Sequence, residues 1–189
     1  MKKTGLIVII AIIAVIVLLA GYVISVQNSL VPMNEKVEAQ SSEIQNQLQR
    51  RADLIPNFVA TVKGYTEYEQ STLTAVTEAR AAVGRAESTE QQAEAGEQLD
   101  RAISVWVNAV TEAYPDLKAS AQFVALEDEL AGSENRLAQA RRDYNEAAKD
   151  YNTAIRLFPK NIIAGMLGYE KADYFEASAG SEQVPSVQF

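Results

Sequence analysis

The sequence predicts an all-α protein, with an N-terminal single transmembrane helix followed by an antiparallel up-and-down four-helix bundle with long helices. Three observations lead to this prediction. Residues 5–26 form an uncharged apolar run, and apolar residues elsewhere recur at helical spacing. No useful length of chain alternates with the period of a strand. The chain has 189 residues, of which 48% are hydrophobic, so it is long enough to bury a core.

The predicted membrane segment is residues 5–26, which read GLIVIIAIIAVIVLLAGYVISV. As a helix this run reaches about 33 Å, which is enough for a hydrocarbon core of about 30 Å. A cleaved signal peptide and a core helix of a soluble protein are the competing interpretations. The length of the run, and the apolar residues that follow Ala20 and Gly21, favour an uncleaved anchor.

The charges that flank this segment predict its orientation. Lys2 and Lys3 precede the run, whereas only Lys36 is basic within about 20 residues after it. The positive-inside rule therefore predicts a short cytoplasmic N-terminus at residues 1–4 and a domain on the opposite side of the membrane.

The first helix of the predicted bundle carries apolar residues at helical steps. They are Val37, Ile44, Leu48, Ile55, Phe58 and Val62. Two starts are compatible with the sequence: Ser29 caps a new helix with Pro32 in its first turn, or the anchor runs straight on. Pro56 predicts a kink, and residues 63–65 (Lys-Gly-Tyr) predict the end of the helix.

Further helices are predicted along the rest of the chain. Their approximate ranges are 67–85, 89–114, 120–158 and a short apolar helix at 161–167. Pro115 and Pro159 act as breaks, because proline cannot continue a helical hydrogen-bond ladder. The predicted bundle domain covers residues 28–176, and residues 177–189 form an extended C-terminal tail marked by Gly, Ser and Pro.

Composition excludes several classes of function. The chain has no Cys and no His, which removes disulfides, thiolate zinc sites, haem attachment and Ser-His-Asp triads. A net charge of −8 disfavours binding to nucleic acid. We therefore predict no catalytic residues, no cofactor, no metal and no enzymatic activity.

Several motifs occur in order along the chain. Residues 45–65 read QNQLQRRADLIPNFVATVKGY, and they are followed by LTAVTEAR at 73–80, EAYPDLK at 112–118, ENR at 134–136, two Tyr-Asn pairs, FPKN at 158–161, IAG at 163–165 and a C-terminal Val-x-Phe. From about residue 28 to the last residue, this pattern resembles the bacterial LemA family. The resemblance implies a single-pass membrane protein with a four-helix up-and-down domain, and it implies no settled activity, cofactor or substrate. The implied location is the bacterial cytoplasmic (inner) membrane, with an extracytoplasmic C-terminal domain.

The motif residues are interpreted as structural. They are Arg50, Arg51, Asp53, Pro56, Asn57, Lys63, Gly64, Tyr65, Glu78, Glu134, Arg136, Asn145 and Asn152. Ser41 departs from the family pattern, because many relatives have an aromatic residue there.

Arg51 lies on the apolar seam of its helix and therefore requires a carboxylate partner. In an antiparallel hairpin centred on residues 64 and 65, the numbers of two facing residues sum to about 129. This sum predicts that Glu78 contacts Arg51 or lies within one helical turn of doing so. The alternative is that Arg50, Arg51, Asp53 and Asn57 bind an anion or a partner.

Other polar and aromatic groups have ordinary structural explanations. Trp106, Tyr144 and Tyr151 have the spacing of core aromatics. Asn145 and Asn152 are seven residues apart on one face, and we expect them to bond a neighbouring helix. The acidic run at 127–129 is typical of a solvated face and lacks the turn of a calcium loop.

A second group of residues is a candidate for partner contact. Its members are Ile162, Ile163, Met166, Leu167, Val187 and Phe189. The first four either cap the end of the bundle or contact a neighbouring subunit or the membrane surface. The last two are apolar residues at the end of the tail that fit a groove.

The favoured function is a membrane-anchored scaffold or adaptor that works through protein–protein contacts. Its expected partners are the lipid bilayer, other membrane or extracytoplasmic proteins, and further copies of itself in a homo-oligomer. Two alternatives are an enzyme that uses carboxylates and Tyr, and a sensor that relays through a partner.

Overall fold

A computed structural model describes residues 2–63 and 70–175 of the chain, with side chains for 4–62 and 73–175. Over those residues the helices are α1 (Lys2–Lys63), α2 (Gln70–Val83), α3 (Thr89–Ala113), α4 (Pro115–Lys118), α5 (Ala121–Arg156) and α6 (Lys160–Met166). The described residues contain no strand, which confirms the all-α class. Gly64, Tyr65 and the predicted tail at 177–189 lie outside them.

The apolar run at residues 5–26 and the helix predicted to follow it form one continuous helix. α1 passes through Ser29, Pro32 and Pro56 without interruption, so Ser29 does not cap a new helix. Both proline residues are exposed to solvent. Their rings therefore displace no packed neighbour, although each removes a backbone donor from the helix.

A capping box defines the start of α3. The Ser88 hydroxyl accepts a hydrogen bond from the Gln91 amide, and the Gln91 side chain accepts one from the Ser88 amide. These bonds satisfy backbone donors that a helix start leaves unpaired, and they explain why α3 begins at the predicted residue.

The chain between α3 and α5 contains a turn of helix that the sequence analysis missed. α4 starts at Pro115, whose fixed φ suits a first helical position, and it buries Leu117 completely. Beyond the other end of α5, α6 ends at Met166, and Gly168 two residues later has a φ of 78°. Glycine adopts this left-handed conformation without steric cost, so it terminates α6.

The chain divides into two compact units. The first contains residues up to 39 together with 146–172, and the second contains residues 40–145 together with those from 173 onward. In the first unit, Val26, Leu30 and Ala164 are buried, and the Lys160 ammonium donates to the Ser29 hydroxyl at 3.0 Å.

The core of the second unit joins α1, α3 and α5 through their aromatic residues. The Phe58 ring contacts Trp106 and Phe123 edge-on, at centroid distances of 5.9 Å and 5.8 Å. Trp106 is a core residue, as predicted. Contacts of Arg51 and Phe58 with α5 residues Glu134 and Phe123 run in opposite directions along the two helices. The complete up-and-down four-helix bundle stays a prediction.

Candidate functional site

The most buried charge in the described chain is Arg51 of α1. Its side chain is only 5% exposed, and Nη1 lies 2.9 Å from Oδ1 of Asp100 on α3. Nη2 lies 3.7 Å from Oε2 of Glu134 on α5. The predicted buried ion pair is therefore present, and it ties three helices of the second unit together.

The predicted direct partner of Arg51 was wrong. Glu78 is exposed and borders a groove of about 700 Å³ between α2 and α3. Asp53 and Arg80, 3.8 Å apart, mark the register of α1 against α2, and their numbers sum to 133. The sum of residue numbers across a hairpin gives only the position of a residue along the helix axis. Its neighbour depends also on the side of the helix that the side chain faces.

Arg141 of α5 completes a buried charge cluster, defined here as Arg51, Asp100, Glu134 and Arg141. Burial raises the pKa of Asp100, and the guanidinium groups of Arg51 and Arg141 oppose that rise. Burial lowers the pKa of Arg141, an effect that Asp100 opposes. Asp100 and Arg141 are thus partly removed from water and compensate each other's charge, whereas the Glu134 side chain is 66% exposed.

Space for Arg141 comes from a glycine in α3. A Cβ built on Gly96 would lie 2.7 Å from the Arg141 Nη2 and 3.0 Å from the Leu48 Cδ2. Real contacts are longer, so any side chain at this position displaces the guanidinium or the buried Leu48.

The sequence analysis did not identify Asp100, Arg141 or Gly96. A signal existed for Arg141, because it lies four residues after Leu137 and three before Tyr144, on the apolar seam of α5. Asp100 directly follows the buried Leu99, which places it at the edge of the seam of α3.

The cluster borders an open cleft of about 580 Å³. Its charged lining is Arg51, Glu97, Asp100, Arg101, Glu127 and Glu134. Over the described residues, no group of three or more potential ligands is placed to hold a metal ion. Arg51 faces two carboxylates and is almost completely covered, so an external anion cannot replace them without rearrangement.

The other motif charges form surface ion pairs. Arg50 lies 3.6 Å and Arg136 lies 3.4 Å from the same Glu129 oxygen, and all three side chains are exposed. Pro56 and Asn57 are exposed on α1 as well. Lys63 ends the described part of α1, and its side chain, like Gly64 and Tyr65, lies outside what the structure describes.

A Tyr-Asn pair binds backbone in the first unit. The Tyr151 hydroxyl donates to the Glu170 carbonyl at 2.9 Å. The Asn152 amide donates to the Ala172 carbonyl at 2.8 Å and accepts from the Ala172 N–H at 2.9 Å. Burial raises the pKa of Tyr151, and Tyr169, Glu170 and Glu38 add to the rise.

The same dipeptide makes the same bonds in the second unit. The Tyr144 hydroxyl donates to the Asp173 carbonyl at 2.9 Å. Asn145 donates to the Phe175 carbonyl and accepts from the Phe175 N–H. The expectation that Asn145 and Asn152 bond a helix was wrong, because their partners lie in the non-helical segment 169–175, where the two side chains satisfy backbone groups of Ala172 and Phe175. Tyr144 and Tyr151 are buried, as expected of core aromatics.

The apolar residues of α6 do not cap a bundle end. Ile162, Met166 and Leu167 are exposed, and only Ile163 is half-buried. The exposed surface also includes Leu157 and Phe158, which the sequence analysis did not list as contact residues. Val187 and Phe189 lie outside the described residues.

The N-terminal part of α1 is apolar and uncovered. Every large apolar side chain from Leu6 to Leu19 is more than half exposed. Among the described residues, α1 is the one helix that is both long enough and apolar enough to cross a membrane. The mean hydropathy of its most apolar window is 3.3. The stretch Leu6–Leu19 therefore packs into the core of neither unit.

Comparison with known families agrees with the motif pattern. No curated protein is similar enough to the chain to match it. The sequence model of the LemA family matches residues 40–189. This range includes most of α1 after its apolar stretch and all later helices. The chain belongs to the LemA family.

Proposed function

We propose that this protein is a single-pass membrane-anchored helical scaffold that works through protein–protein contacts and catalyses no reaction. The observation that carries the proposal is the uncovered apolar stretch Leu6–Leu19 in α1. Twelve large apolar side chains facing water would cost roughly 1.5–3 kcal/mol each relative to an apolar environment. A bilayer removes that cost, and a helix satisfies its own backbone there.

The absence of a role in catalysis is proposed from the chemistry of the charge cluster. Asp100 is the carboxylate with a raised pKa, and it faces Arg51 and Arg141 rather than a second neutral acid. An ion-paired carboxylate holds helices in register and is a poor proton donor.

Membrane attachment is tested by fractionating cells and washing the membranes at alkaline pH. The full chain should stay in the membrane pellet after the wash, as an integral protein does. Release into the soluble fraction would rule out a spanning anchor.

Orientation is tested by cysteine labelling, for which the chain is suited because it contains no Cys. Thr4→Cys and Ala125→Cys each introduce one thiol at an exposed position. In intact cells, a membrane-impermeant maleimide should label the thiol at 125 and leave the thiol at 4 unmodified. The reverse pattern would overturn the proposed cytoplasmic N-terminus in the cytoplasmic membrane of a bacterium.

The scaffold role requires protein partners or self-assembly. Cross-linking in intact membranes, followed by identification of captured chains, should recover defined partners or multimers of this protein. A mass measurement in detergent should then give a homo-oligomer. A strict monomer at all concentrations, with no cross-linked product, would contradict the scaffold.

A further inference from the structure

The link after α5, one side of α6 and the residue after it present an apolar surface to solvent. We call it the apolar tip, and its members are Leu157, Phe158, Ile162, Met166 and Leu167. Phe158 is 80% exposed and Met166 is 79% exposed. Clusters of this kind mark binding surfaces, because exposure of several large apolar side chains together is unfavourable in water.

A contact within the first unit places the tip next to the end of the apolar run. Lys160, the first residue of α6, donates from Nζ to the Ser29 hydroxyl of α1 at 3.0 Å. Ser29 follows Val26, the last residue of the uncharged run, by three residues, or about 4.5 Å of helix rise. The polar headgroup zone outside a hydrocarbon core is about 5–8 Å thick on each side.

The burial pattern of α1 supports this placement of the tip near the headgroup zone. Val26 and Leu30 are 1% and 0% exposed, whereas Leu18 and Leu19 are well over half exposed. Protein thus covers one face of α1 from Tyr22 onward, close to the end of the run, and residues 4–21 are exposed.

The charge of the tip also suits a membrane surface. Arg156 and Lys160 flank the apolar side chains, and residues 155–169 contain no Asp or Glu, in a chain whose net charge is −8. Arg and Lys side chains at an interface extend to the headgroups while their stems lie along apolar atoms.

We propose that the apolar tip inserts into the headgroup–acyl boundary of the bilayer that α1 crosses. This inference rests on the proposed membrane anchor. It assigns the tip a specific occupant, lipid, and gives the first unit two attachments to one leaflet: the span itself and the tip beside it. A short helix with apolar side chains on an exposed surface is buried about 5–10 Å into this boundary.

The test uses the full chain reconstituted into vesicles of phosphatidylcholine and phosphatidylglycerol. Ile162→Cys and Met166→Cys are each labelled with an NBD fluorophore, and both residues are exposed, so neither change disturbs the core. A doxyl group near the headgroup of the lipid should quench most of the emission at both positions. The emission of both labels should also be blue-shifted relative to that of the same fluorophore attached at a water-exposed position of the protein.

Two matched alanine positions in the same unit serve as controls. Ala39→Cys is exposed on α1 about 20 Å beyond Val26, so its label should remain quenchable by iodide and unaffected by doxyl lipid. Ala14→Cys lies within the apolar stretch, so doxyl groups deep in the acyl chains should quench its label. Circular dichroism checks that each labelled variant retains its helix content.

The outcomes separate the two proposals. If the label at 14 is quenched by deep doxyl lipid and the labels at 162 and 166 are not quenched, the anchor stands and the tip proposal fails. Tip labels that are shielded from iodide but unaffected by doxyl lipid would mean that protein covers the tip, which also overturns it. If the label at 14 is not quenched, the anchor itself fails.

Discussion

Two adjacent arginine residues show how environment changes the role of one side-chain type. Arg50 is well exposed and lies 3.6 Å from an exposed glutamate, whereas Arg51 is covered and lies between Asp100 and Glu134. Solvent screens the first pair, so it contributes little. Loss of the second guanidinium removes the cation that lies closest to the partly buried Asp100 and leaves only Arg141 to compensate it.

Arg51→Ala should therefore lower the free energy of unfolding by about 3 kcal/mol. This value is at the lower end of the range for broken buried ion pairs, because Asp100 retains some contact with water. Arg50→Ala is the matched control and should cost less than about 1 kcal/mol. Urea denaturation followed by circular dichroism in detergent measures both. Equal effects of the two changes would show that burial of Arg51 carries no energetic weight.

Asp100 should give the stability a characteristic dependence on pH. Its pKa is raised in the folded state above the ordinary value of 3.8, mainly by burial. Between the ordinary and the raised pKa the folded chain holds more protons than the unfolded chain, so the free energy of unfolding falls as pH rises through this window.

Asp100→Asn removes this titration. The free energy of unfolding of the native chain minus that of the variant should be largest below pH 3.8 and should decline as the pH rises through the raised pKa, then level off. Denaturation curves recorded over a pH series give the difference. A difference that stays constant with pH would refute the burial-raised pKa.

At the scale of the helices, two glycines separate packing from helix propensity. Gly96 of α3 lies against Arg141 and Leu48, whereas Gly132 of α5 has only the end of the exposed Arg136 side chain nearby, at 3.4 Å. Alanine is intrinsically better than glycine inside a helix by about 1 kcal/mol.

Gly96→Ala should destabilise the protein by about 1–3 kcal/mol, because overpacking exceeds the gain in propensity. Gly132→Ala should raise stability by up to about 1 kcal/mol. Thermal and urea unfolding of the two variants provide the comparison. A stabilising Gly96→Ala would mean that the helices separate freely to admit a methyl group.

The paired Tyr-Asn dipeptides of α5 are a second feature at this scale. Asn152 satisfies both backbone groups of Ala172, and Asn145 satisfies both of Phe175. Asn152→Asp keeps the shape but replaces the amide donor by a carboxylate that faces the Ala172 carbonyl. Hydrogen bonds lost in this way cost about 1–3 kcal/mol.

Amide hydrogen exchange at Ala172 should become faster in Asn152→Asp, because repulsion between the carboxylate and the Ala172 carbonyl loosens the segment even though Oδ1 still accepts from the Ala172 N–H. Asn57→Asp, at an exposed position of α1, serves as the control and should leave exchange at Ala172 unchanged. Native-like protection of Ala172 in Asn152→Asp would show that the segment is held by other contacts.

At the scale of the whole molecule, the proposed anchor predicts that the apolar stretch of α1 holds the chain in the membrane. Changing Ile10, Ile13 and Ile16 together to Arg adds about 9 kcal/mol to the free energy of insertion, at about 3 kcal/mol per residue near the centre of a span. The variant should leave the membrane pellet. Changing the same three residues to Leu should leave the protein in the pellet, and retention of the Arg variant would contradict the anchor.

Most of the fold follows from local patterns in the sequence. The seam at Ile44, Leu48, Ile55 and Phe58 is buried, and α3 begins at residue 89, as predicted. α4 escaped prediction because a single helical turn has no periodicity to detect. The continuity of α1 through Ser29 was also not decidable, since a possible cap and a continuing helix share the same residues.

The candidate sites were predicted in part. The burial of Arg51 followed from its place on the seam, but its partners Asp100 and Glu134 depend on how α1 turns towards α3 and α5. For Asn145 and Asn152, seven-residue spacing placed both on one face of α5 without identifying the backbone that they bind.

The amino-acid sequence by itself determined the all-α class, the approximate ranges of α2, α3, α5 and α6, the membership of the LemA family and the apolar stretch of α1, because helical periodicity, helix-breaking residues and hydropathy are local properties. Only the tertiary structure decided which carboxylates compensate Arg51, where the Tyr-Asn pairs bind, and that Phe158 and Met166 face outward beside Ser29. Those features depend on the rotation and the axial offset of one helix against another. Side-chain packing over many residues sets the rotation and the offset, and no short motif encodes them.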